Sequence, residues 1–282
     1  MNNAIRAVDG SFEVNHVVRL TGAAAGTVAG SAERHRMLDL LHLMGAQVNE
    51  VAPADALEPI TLRCLSAGAA LFHEGAKADA VYVVRTGSFK TFHTTEDGYE
   101  QVLAFAGGAD VLGFDAVCLG YHPTAVVALE GSAVYVLPMP KFFTLVQRVA
   151  ALDRAVHWAV SRQLCQRSEL ADLMAGVTAA EVRLARFLLL LSRRASACGQ
   201  PALRIHLSMS RRDIASYLGL THETISRSFG ALADWDYVAV KRREIEILDL
   251  VGLKAFSCVS RRHLEEASRP ASRLSSAVHL MP

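Results

Sequence analysis

Three polar residues in the stretch "LTHETISRSFGAL", Leu220–Leu232, carry side chains that can recognise the edges of DNA bases. Glu223, Ser226 and Arg227 are three and four residues apart, so in a helix they share one face. An arginine can donate two hydrogen bonds to guanine O6 and N7, a glutamate can accept one from cytosine N4, and a serine can serve either partner. We therefore predict that this face reads base edges.

Basic and hydroxyl side chains near this face are suited to the DNA backbone. Lysine and arginine neutralise phosphate charge and hydroxyl groups donate to phosphate oxygens, and such contacts position a protein on DNA without reading its sequence. The residues that we expect to make them lie at the starts of two helices and at the tip of a hairpin: Ser210, Arg211, Arg212, Thr221, Thr224, Lys241, Arg242 and Arg243.

A helix-turn-helix pattern positions these side chains. Ser210, followed three residues later by Asp213, makes a capping box at the start of the first helix, Gly219 suits a left-handed turn, and Thr221 caps the second helix. Downstream, "YVAVKRREIEILDL" alternates in short runs around a basic "KRRE" tip, as the hairpin of a wing does. The sequence predicts a winged helix-turn-helix domain over residues 176–260.

The preceding part of the chain has a different pattern. Between about Ile60 and Pro138, short apolar or alternating runs such as "AVYVVRTG" and "SAVYVLP" are separated by glycine-containing turns. This spacing is typical of antiparallel sheets, and it predicts a β-roll over 57–140. Residues 1–56 contain one apolar helical patch, "RMLDLLHLMGAQV", and are predicted to be a partly helical or flexible extension; residues 261–282 are predicted to be a C-terminal tail.

A helical stripe follows the predicted β-roll. Residues 141–175 carry apolar side chains mostly three or four apart, among them Val149, Leu152, Val156, Val160 and Leu164. A long helix with one apolar seam either pairs with its twin or packs within its own chain. We predict that it pairs, and so forms the dimerisation helix of a homodimer.

Composition and charge agree with a cytoplasmic DNA-binding protein. The chain of 282 residues is 51% hydrophobic and has no apolar run of membrane-spanning length and no signal-peptide core. Its five cysteines are scattered and odd in number, which favours a reducing compartment. After residue 175 there are 16 basic and 10 acidic residues, a net charge of +6 that favours a polyanionic partner.

The motifs resemble those of the bacterial Crp/Fnr family of transcription regulators, and specifically its Fnr branch. "LSMSRRDIASYLGLTHETISR" is very similar to the helix-turn-helix of that branch, and "LFHEGAKADAVYVVRTGSFK" and "VLGFDAVCLGYHPTAVVALEG" resemble its cyclic-nucleotide-binding-like β-roll. The resemblance implies an α+β fold with a β-roll, a dimerisation helix and a winged helix-turn-helix. It also implies a homodimer on an inverted repeat of the type TTGAT-N4-ATCAA, half-sites about one helical turn apart, and contact with RNA polymerase during activation.

The chain departs from the family at the positions that receive signals. Where members that bind cyclic AMP hold its phosphate with an arginine, this chain has Pro123, which can supply no charge-assisted hydrogen bond. Oxygen-sensing members ligate a [4Fe-4S] cluster through cysteines before the β-roll and one on a late strand, but here no cysteine precedes Cys64 and the late-strand position is Tyr135. The sequence predicts neither cofactor and no metal site.

The signal, if there is one, stays open. Cys118 and His122 in the loop "DAVCLGYHP" are candidates for a redox-responsive thiol or for part of a haem or effector site, and a buried structural cysteine is the alternative. No phosphate-binding loop or catalytic constellation occurs, so we do not expect an enzyme. The remaining alternative is a docking module that binds DNA without regard to sequence, which Glu223→Ala and Arg227→Ala would leave unaffected.

Overall fold

The computed structural model describes residues 36–46, 51–174, 179–197 and 199–258. The described residues form an α+β fold, as predicted. Most of the predicted N-terminal extension, the predicted tail at 261–282 and Cys198 lie outside the described residues. Among the helices that are described, none has the length and apolar character needed to cross a membrane.

Eight short strands form the β-roll. They are β1 (Thr61–Leu65), β2 (Ala70–Phe72), β3 (Ala80–Thr86), β4 (Phe89–Thr94), β5 (Glu100–Ala106), β6 (Val111–Leu112), β7 (Ala125–Ala128) and β8 (Ser132–Pro138). They pair antiparallel in two four-stranded sheets, with the orders β1-β8-β3-β6 and β2-β7-β4-β5. The strands predicted between Ile60 and Pro138 are therefore present.

Burial along β3 shows how the layers are stacked. Tyr82 and Val84 pack in a core with residues of the second sheet, whereas Val81 and Val83 pack in a core with helical residues. Because successive side chains of a strand point to opposite faces, the first sheet is covered on one face by the second sheet and on the other by helices.

Three helices cover that outer face: α1 (Met37–Leu43), α3 (Met139–Arg148) and α4 (Ala150–Met174); a short α2 (Pro53–Ala56) precedes β1. The helical patch predicted before the β-roll is α1, whose Met37, Leu40 and Leu41 are fully buried. The predicted single long helix is broken between α3 and α4, because Val149 has an extended backbone with φ −109° and ψ 92°.

The apolar stripe predicted to pair two chains mostly faces its own chain. Val149, Leu152 and Val156 are buried in the core that α1 and the first sheet share, and Val160 packs partly against it. Leu164 is exposed. This corrects the predicted seam, because a helical period indicates that a face is covered but not which chain covers it.

The C-terminal domain is a winged helix-turn-helix, as predicted. Its elements are α5 (Ala180–Ala197), β9 (Arg204–His206), α6 (Arg211–Leu218), α7 (His222–Asp234), β10 (Val238–Lys241), β11 (Glu244–Ile247) and α8 (Leu250–Ser257). Strands β9, β10 and β11 form a sheet with the order β10-β11-β9. Helix α5 packs against α7, α8 and β9, so it is the support on which the helix-turn-helix rests.

The first helix of the motif, α6, is bonded to β5 of the β-roll. The Ser216 hydroxyl accepts a hydrogen bond from the Val102 N–H at 2.9 Å and donates one to the Glu100 carbonyl at 2.8 Å. Tyr217 packs against Phe105 of β5 with ring centroids 5.1 Å apart. One apolar core is therefore continuous across the two domains, a relationship that the sequence did not reveal.

Candidate DNA-binding interface

Local hydrogen bonds fix the start of α6 and the turn that follows it. The Ser210 hydroxyl accepts a hydrogen bond from the Asp213 N–H at 3.1 Å, and the Asp213 carboxylate accepts one from the Ser210 N–H at 2.9 Å. This is the predicted capping box. Gly219 ends the helix with φ 62°, a left-handed conformation that favours glycine.

Helix α7 begins at a second cap. The Thr221 hydroxyl accepts a hydrogen bond from the Thr224 N–H at 3.2 Å, as an N-cap residue does. Ile225, Phe229 and Leu232 on the inner side of α7 are buried in the continuous apolar core. These anchors hold the opposite side of the helix toward solvent.

The structure brings the three predicted base-reading residues together on that outer side. Glu223, Ser226 and Arg227 are all exposed. A hydrogen bond from the backbone N–H of Glu223 itself and another from the Thr221 hydroxyl lower the pKa of Glu223. The carboxylate is therefore ionised at neutral pH, in the form that accepts hydrogen bonds.

Arg211 was predicted to contact a DNA phosphate, but in the structure it packs between two helices. Its guanidinium carbon lies 3.2 Å from the centroid of the Phe229 ring, and desolvation lowers the pKa of Arg211 to about 10. One of its terminal nitrogens is buried without a hydrogen-bond partner among the described residues. The expected phosphate contact requires an exposed guanidinium, whereas here Arg211 packs α6 against α7. Its neighbour Arg212 is exposed.

The other residues predicted to contact the DNA backbone lie at the starts of the two helices and at the wing. Ser210 and Thr221 are exposed but occupied as caps, and the half-buried Thr224 shares a hydrogen bond between hydroxyls with Thr221 at 3.0 Å. Lys241, Arg242 and Arg243 are exposed at the turn between β10 and β11.

The wing turn has a distinctive backbone. Arg242 has φ 57°, a left-handed conformation that is unusual for a residue with a side chain. Arg243 donates a hydrogen bond to the Ser208 carbonyl at 3.3 Å, which ties the wing to the segment before α6. Lys241 and Arg242 are therefore the side chains of this turn that are freest to reach a phosphate.

A cavity of about 350 Å³ separates the β-roll from the helices. Its β-roll wall includes Asp110, Asp115 and Thr124, and its cations, Arg167 and Arg194, come from α4 and α5. The Thr124 hydroxyl is buried without a hydrogen-bond partner among the described residues. Sequence reasoning missed both arginines; the basic end of the α5 stretch was a signal for Arg194.

The cavity does not fit the phosphate of a cyclic nucleotide in the manner of the family. Gly113 has φ 77°, and an added Cβ would lie 3.1 Å from the His122 ring, so a residue with a side chain would be strained there. The part of the wall contributed by the β-roll has two carboxylates and no lysine or arginine. Charge-assisted recognition of an anion there would have to come from the helices.

Cys118 and His122 are placed in different environments. Cys118 is exposed in the loop after a 3₁₀ turn at Phe114–Ala116. His122 is buried and stacks on Phe72 with ring centroids 3.7 Å apart, and desolvation lowers the pKa of His122. The Cys118 thiol is therefore open to solvent, whereas the His122 ring is enclosed by the β-roll.

The described cysteines do not fit a four-thiolate cluster. Cys64, Cys118, Cys165 and Cys258 are free and exposed on separate elements, and Tyr135 fills a core position on β8. Within the described ranges, no three His, Cys, Asp or Glu side chains lie together as potential ligands of one metal ion.

Both halves of the chain match known protein-family models. Residues 62–149 match a cyclic nucleotide-binding domain, and residues 182–256 match a Crp-like helix-turn-helix domain. The sequence is 35% identical to the transcriptional activator protein Anr of Pseudomonas protegens over 205 residues, which cover 72% of this chain and 84% of that protein. It is 36% identical to the fumarate and nitrate reduction regulatory protein of Vibrio cholerae over 194 residues, covering 69% of this chain and 77% of that protein.

The fold also matches solved structures. FixK2 from Bradyrhizobium japonicum superposes with a TM-score of 0.63 at 27% sequence identity, covering 71% of this chain and 98% of that one. Because 71% of this chain is more than either domain contains, the similarity extends beyond either domain alone.

Proposed function

Because this chain belongs to the Crp/Fnr family of bacterial transcription regulators, in its Fnr branch, we propose that it binds an inverted repeat of the type TTGAT-N4-ATCAA as a homodimer and activates transcription. The observation that carries the proposal is the exposed face of α7, where Glu223, Ser226 and Arg227 stand together on a capped helix. A helix-turn-helix places the N-terminal residues of its second helix against base edges in the major groove.

Each side chain of this face has a distinct part in reading a half-site. Arg227 donates two hydrogen bonds to the guanine of TTGAT, and the ionised Glu223 accepts one from a cytosine amino group. Ser226, between them, donates or accepts at the neighbouring base. Arg212, Lys241 and Arg242 contact phosphates on either side and set the register of the helix in the groove.

The homodimer forms through the part of α4 that its own chain leaves uncovered. Trp158 is 71% exposed and Leu164 is 61% exposed, although both are large apolar residues. They lie six residues apart, about 120° around the helix, so they flank the side of α4 that is opposite the side packed on the β-roll. A second copy of the chain covers both residues at once, and its two-fold symmetry matches that of the inverted repeat.

Activation requires a contact with RNA polymerase, as the family implies. The loop around "GFDAVCLG" is a suitable surface, because Leu119 and Tyr121 are about half exposed there. Repression needs only a site that overlaps a promoter, so a promoter fusion with the operator placed upstream distinguishes the two modes.

The cavity supports a second candidate function, the sensing of a small effector. Its buried Thr124 hydroxyl has no described partner, and Arg167 and Arg194 supply positive charge. A small anion would meet both arginines. Since Arg194 belongs to the DNA-binding domain and Thr124 to the β-roll, such a ligand would contact both domains.

Specific DNA binding is tested by fluorescence anisotropy with a TTGAT-N4-ATCAA duplex and a scrambled duplex at one moderate salt concentration. Clear preference for the repeat supports the proposal, and equal affinity for both duplexes refutes it. Light scattering of the free protein tests the homodimer, which a monomer at micromolar concentration would contradict.

Effector binding is tested by native mass spectrometry of protein purified without oxygen, together with iron and sulfide assays. A bound small anion that is absent from Thr124→Val supports the second candidate. Wild-type protein without added mass argues against it, and stoichiometric iron with sulfide would overturn the prediction that no cluster is bound.

A further inference from the structure

An exposed apolar surface lies at the C-terminal end of α7. Trp235, the C-cap residue of that helix, is 50% exposed, and its ring centroid lies 5.5 Å from that of Phe256 on α8 and 6.5 Å from that of Tyr237. Leu248 donates its N–H to the Tyr237 carbonyl at 2.9 Å and is 55% exposed. We call these four residues the apolar patch. Neighbouring apolar side chains that are exposed together are typical of interaction surfaces.

The surroundings of the apolar patch are negatively charged. Asp234 and Asp236 flank Trp235 and are exposed, and neither pairs with a basic side chain among the described residues. The last turn of α7, all of which is described, contains no basic residue, so the partial negative charge of its terminal carbonyls adds to the two carboxylates. Lys254 of α8 lies about 160° around that helix from Phe256 and therefore on another side. The patch is thus suited to a cationic partner.

A basic segment of the same chain begins beside this patch. Phe256 precedes Cys258, the last described residue, by two positions, and the chain continues through residues 259–282. The arginines of this segment are Arg261, Arg262, Arg269 and Arg273, and its acidic residues are Glu265 and Glu266. A chain spans at most about 3.3–3.6 Å per residue, so the five residues from Phe256 to Arg261 can span about 17 Å, three times the 5.5 Å between the Phe256 and Trp235 rings.

We propose that the segment after α8 folds back onto the apolar patch and places the guanidinium of Arg261 or Arg262 over the Trp235 ring. A guanidinium is attracted to the face of a tryptophan ring and can pair with a carboxylate at the same time. Asp234 and Asp236 supply those carboxylates, and the methylene groups of the arginines cover the apolar ring. The segment therefore closes the C-terminal end of α7 and leaves the N-terminal end, where the base-reading residues lie, open to DNA.

Tryptophan fluorescence of the full chain tests this contact. The chain has two tryptophans, so Trp158→Phe leaves Trp235 as the only one and serves as the parent protein. Acrylamide quenching of the parent, relative to free N-acetyltryptophanamide, reports how far the Trp235 ring is covered. Adding Arg261→Ala and Arg262→Ala together should raise the quenching constant about twofold, because the ring loses its covering cation.

Two further variants in the same background isolate the cause. Arg269→Ala with Arg273→Ala removes the same charge from the same segment and should leave the quenching constant unchanged. Asp236→Asn removes one carboxylate from beside the ring and should raise the constant by less than the Arg261 and Arg262 substitutions do. Asparagine also tolerates the φ of 59° at this position, so the turn should keep its shape, and an unchanged circular dichroism spectrum would show that it does.

The opposing outcomes are distinct. The inference is overturned if the Arg261 and Arg262 substitutions leave quenching at the level of the parent, or if the Arg269 and Arg273 substitutions raise it equally. Quenching of the parent that increases on dilution would show that a second copy covers the ring, and would also overturn it. Should the variant without Arg261 and Arg262 fail to fold, the comparison of Asp236→Asn with the parent decides, since equal quenching of those two proteins refutes the contact.

Discussion

Lys90 of the β-roll donates a hydrogen bond to Asp213 of the helix-turn-helix across 3.0 Å, with the two side chains only 15% and 14% exposed. Lys90 also bonds Glu100 at 2.7 Å. Asp213 is the residue that closes the capping box of α6. The carboxylate that starts the first DNA-binding helix is therefore neutralised by the sensor-like domain.

Lys90→Met should loosen this junction while preserving the apolar part of the side chain. It leaves the largely buried carboxylate of Asp213 without its cationic partner, which costs roughly 1–3 kcal/mol of unfolding free energy. Urea denaturation followed by fluorescence measures the loss. Lys77→Met is the matched control, since Lys77 is exposed and should shift the midpoint little; equal shifts for both variants would show that the Lys90 contact contributes nothing.

Acid should weaken the same junction in a defined pH range. Burial alone would raise the pKa of Asp213, but hydrogen bonds from Ser210 and the charge of Lys90 outweigh burial and lower it from 3.8. A carboxyl group with a lowered folded-state pKa contributes stability above its unfolded pKa and loses it as the pH falls through the folded value.

Asp213→Asn should therefore be less stable than wild type at about pH 6, and the difference should shrink below about pH 4. Urea midpoints at a series of pH values measure it. A difference that stays constant down to about pH 2.5 would mean that the charge of Asp213 is not what matters.

The helix-turn-helix was predictable because its signals are local. The capping box at Ser210, the left-handed Gly219 and the Thr221 cap each depend on hydrogen bonds or backbone angles within a few residues, and these are encoded by residue type. The wing could be predicted for the same reason, because alternating apolar residues around a basic turn are also a local signal.

What the sequence could not supply were the partners of distant residues. Lys90 and Asp213 are 123 positions apart, and no periodicity links them. The stripe through Leu152 was correctly read as apolar, but α1 and the first sheet cover it. Arg211 was read by charge alone, whereas its position over the Phe229 ring depends on how α6 and α7 pack.

Arg227→Ala should relax base choice at the guanine of each half-site. It removes a bidentate contact, which should cost roughly 1–3 kcal/mol of discrimination at that position. Competition binding with duplexes changed only at the guanine measures it. Loss of affinity without loss of guanine preference would assign Arg227 to the DNA backbone instead.

Arg242→Gly should separate the DNA contact of the wing from its stability. Glycine accepts the φ of 57° at this turn more readily than arginine does, so the thermal midpoint should not fall. Affinity should fall by a similar factor on all duplexes, and the slope of log K against log salt should become shallower by about 0.9 for each phosphate that the variant no longer neutralises. A change in base preference would mean that the wing reads sequence.

Trp158→Glu should dissociate the homodimer. The indole is 71% exposed in the single chain, so the substitution should change the stability of the fold little. In the proposed interface, however, it would bury a carboxylate from each chain, and these two like charges would both have to be desolvated. Loss of one large aromatic residue from such an interface often costs about 2 kcal/mol or more of binding free energy, so we expect a dissociation constant at least about thirtyfold higher.

Phe143→Glu on α3 is the control, because Phe143 is 47% exposed but lies outside the proposed α4 interface. Light scattering across a dilution series should show monomer for Trp158→Glu and dimer for Phe143→Glu. Only a dimer can bind both half-sites at once, so Trp158→Glu should bind the full repeat no more tightly than a single half-site. If the variant remains dimeric, the interface does not lie on this face of α4.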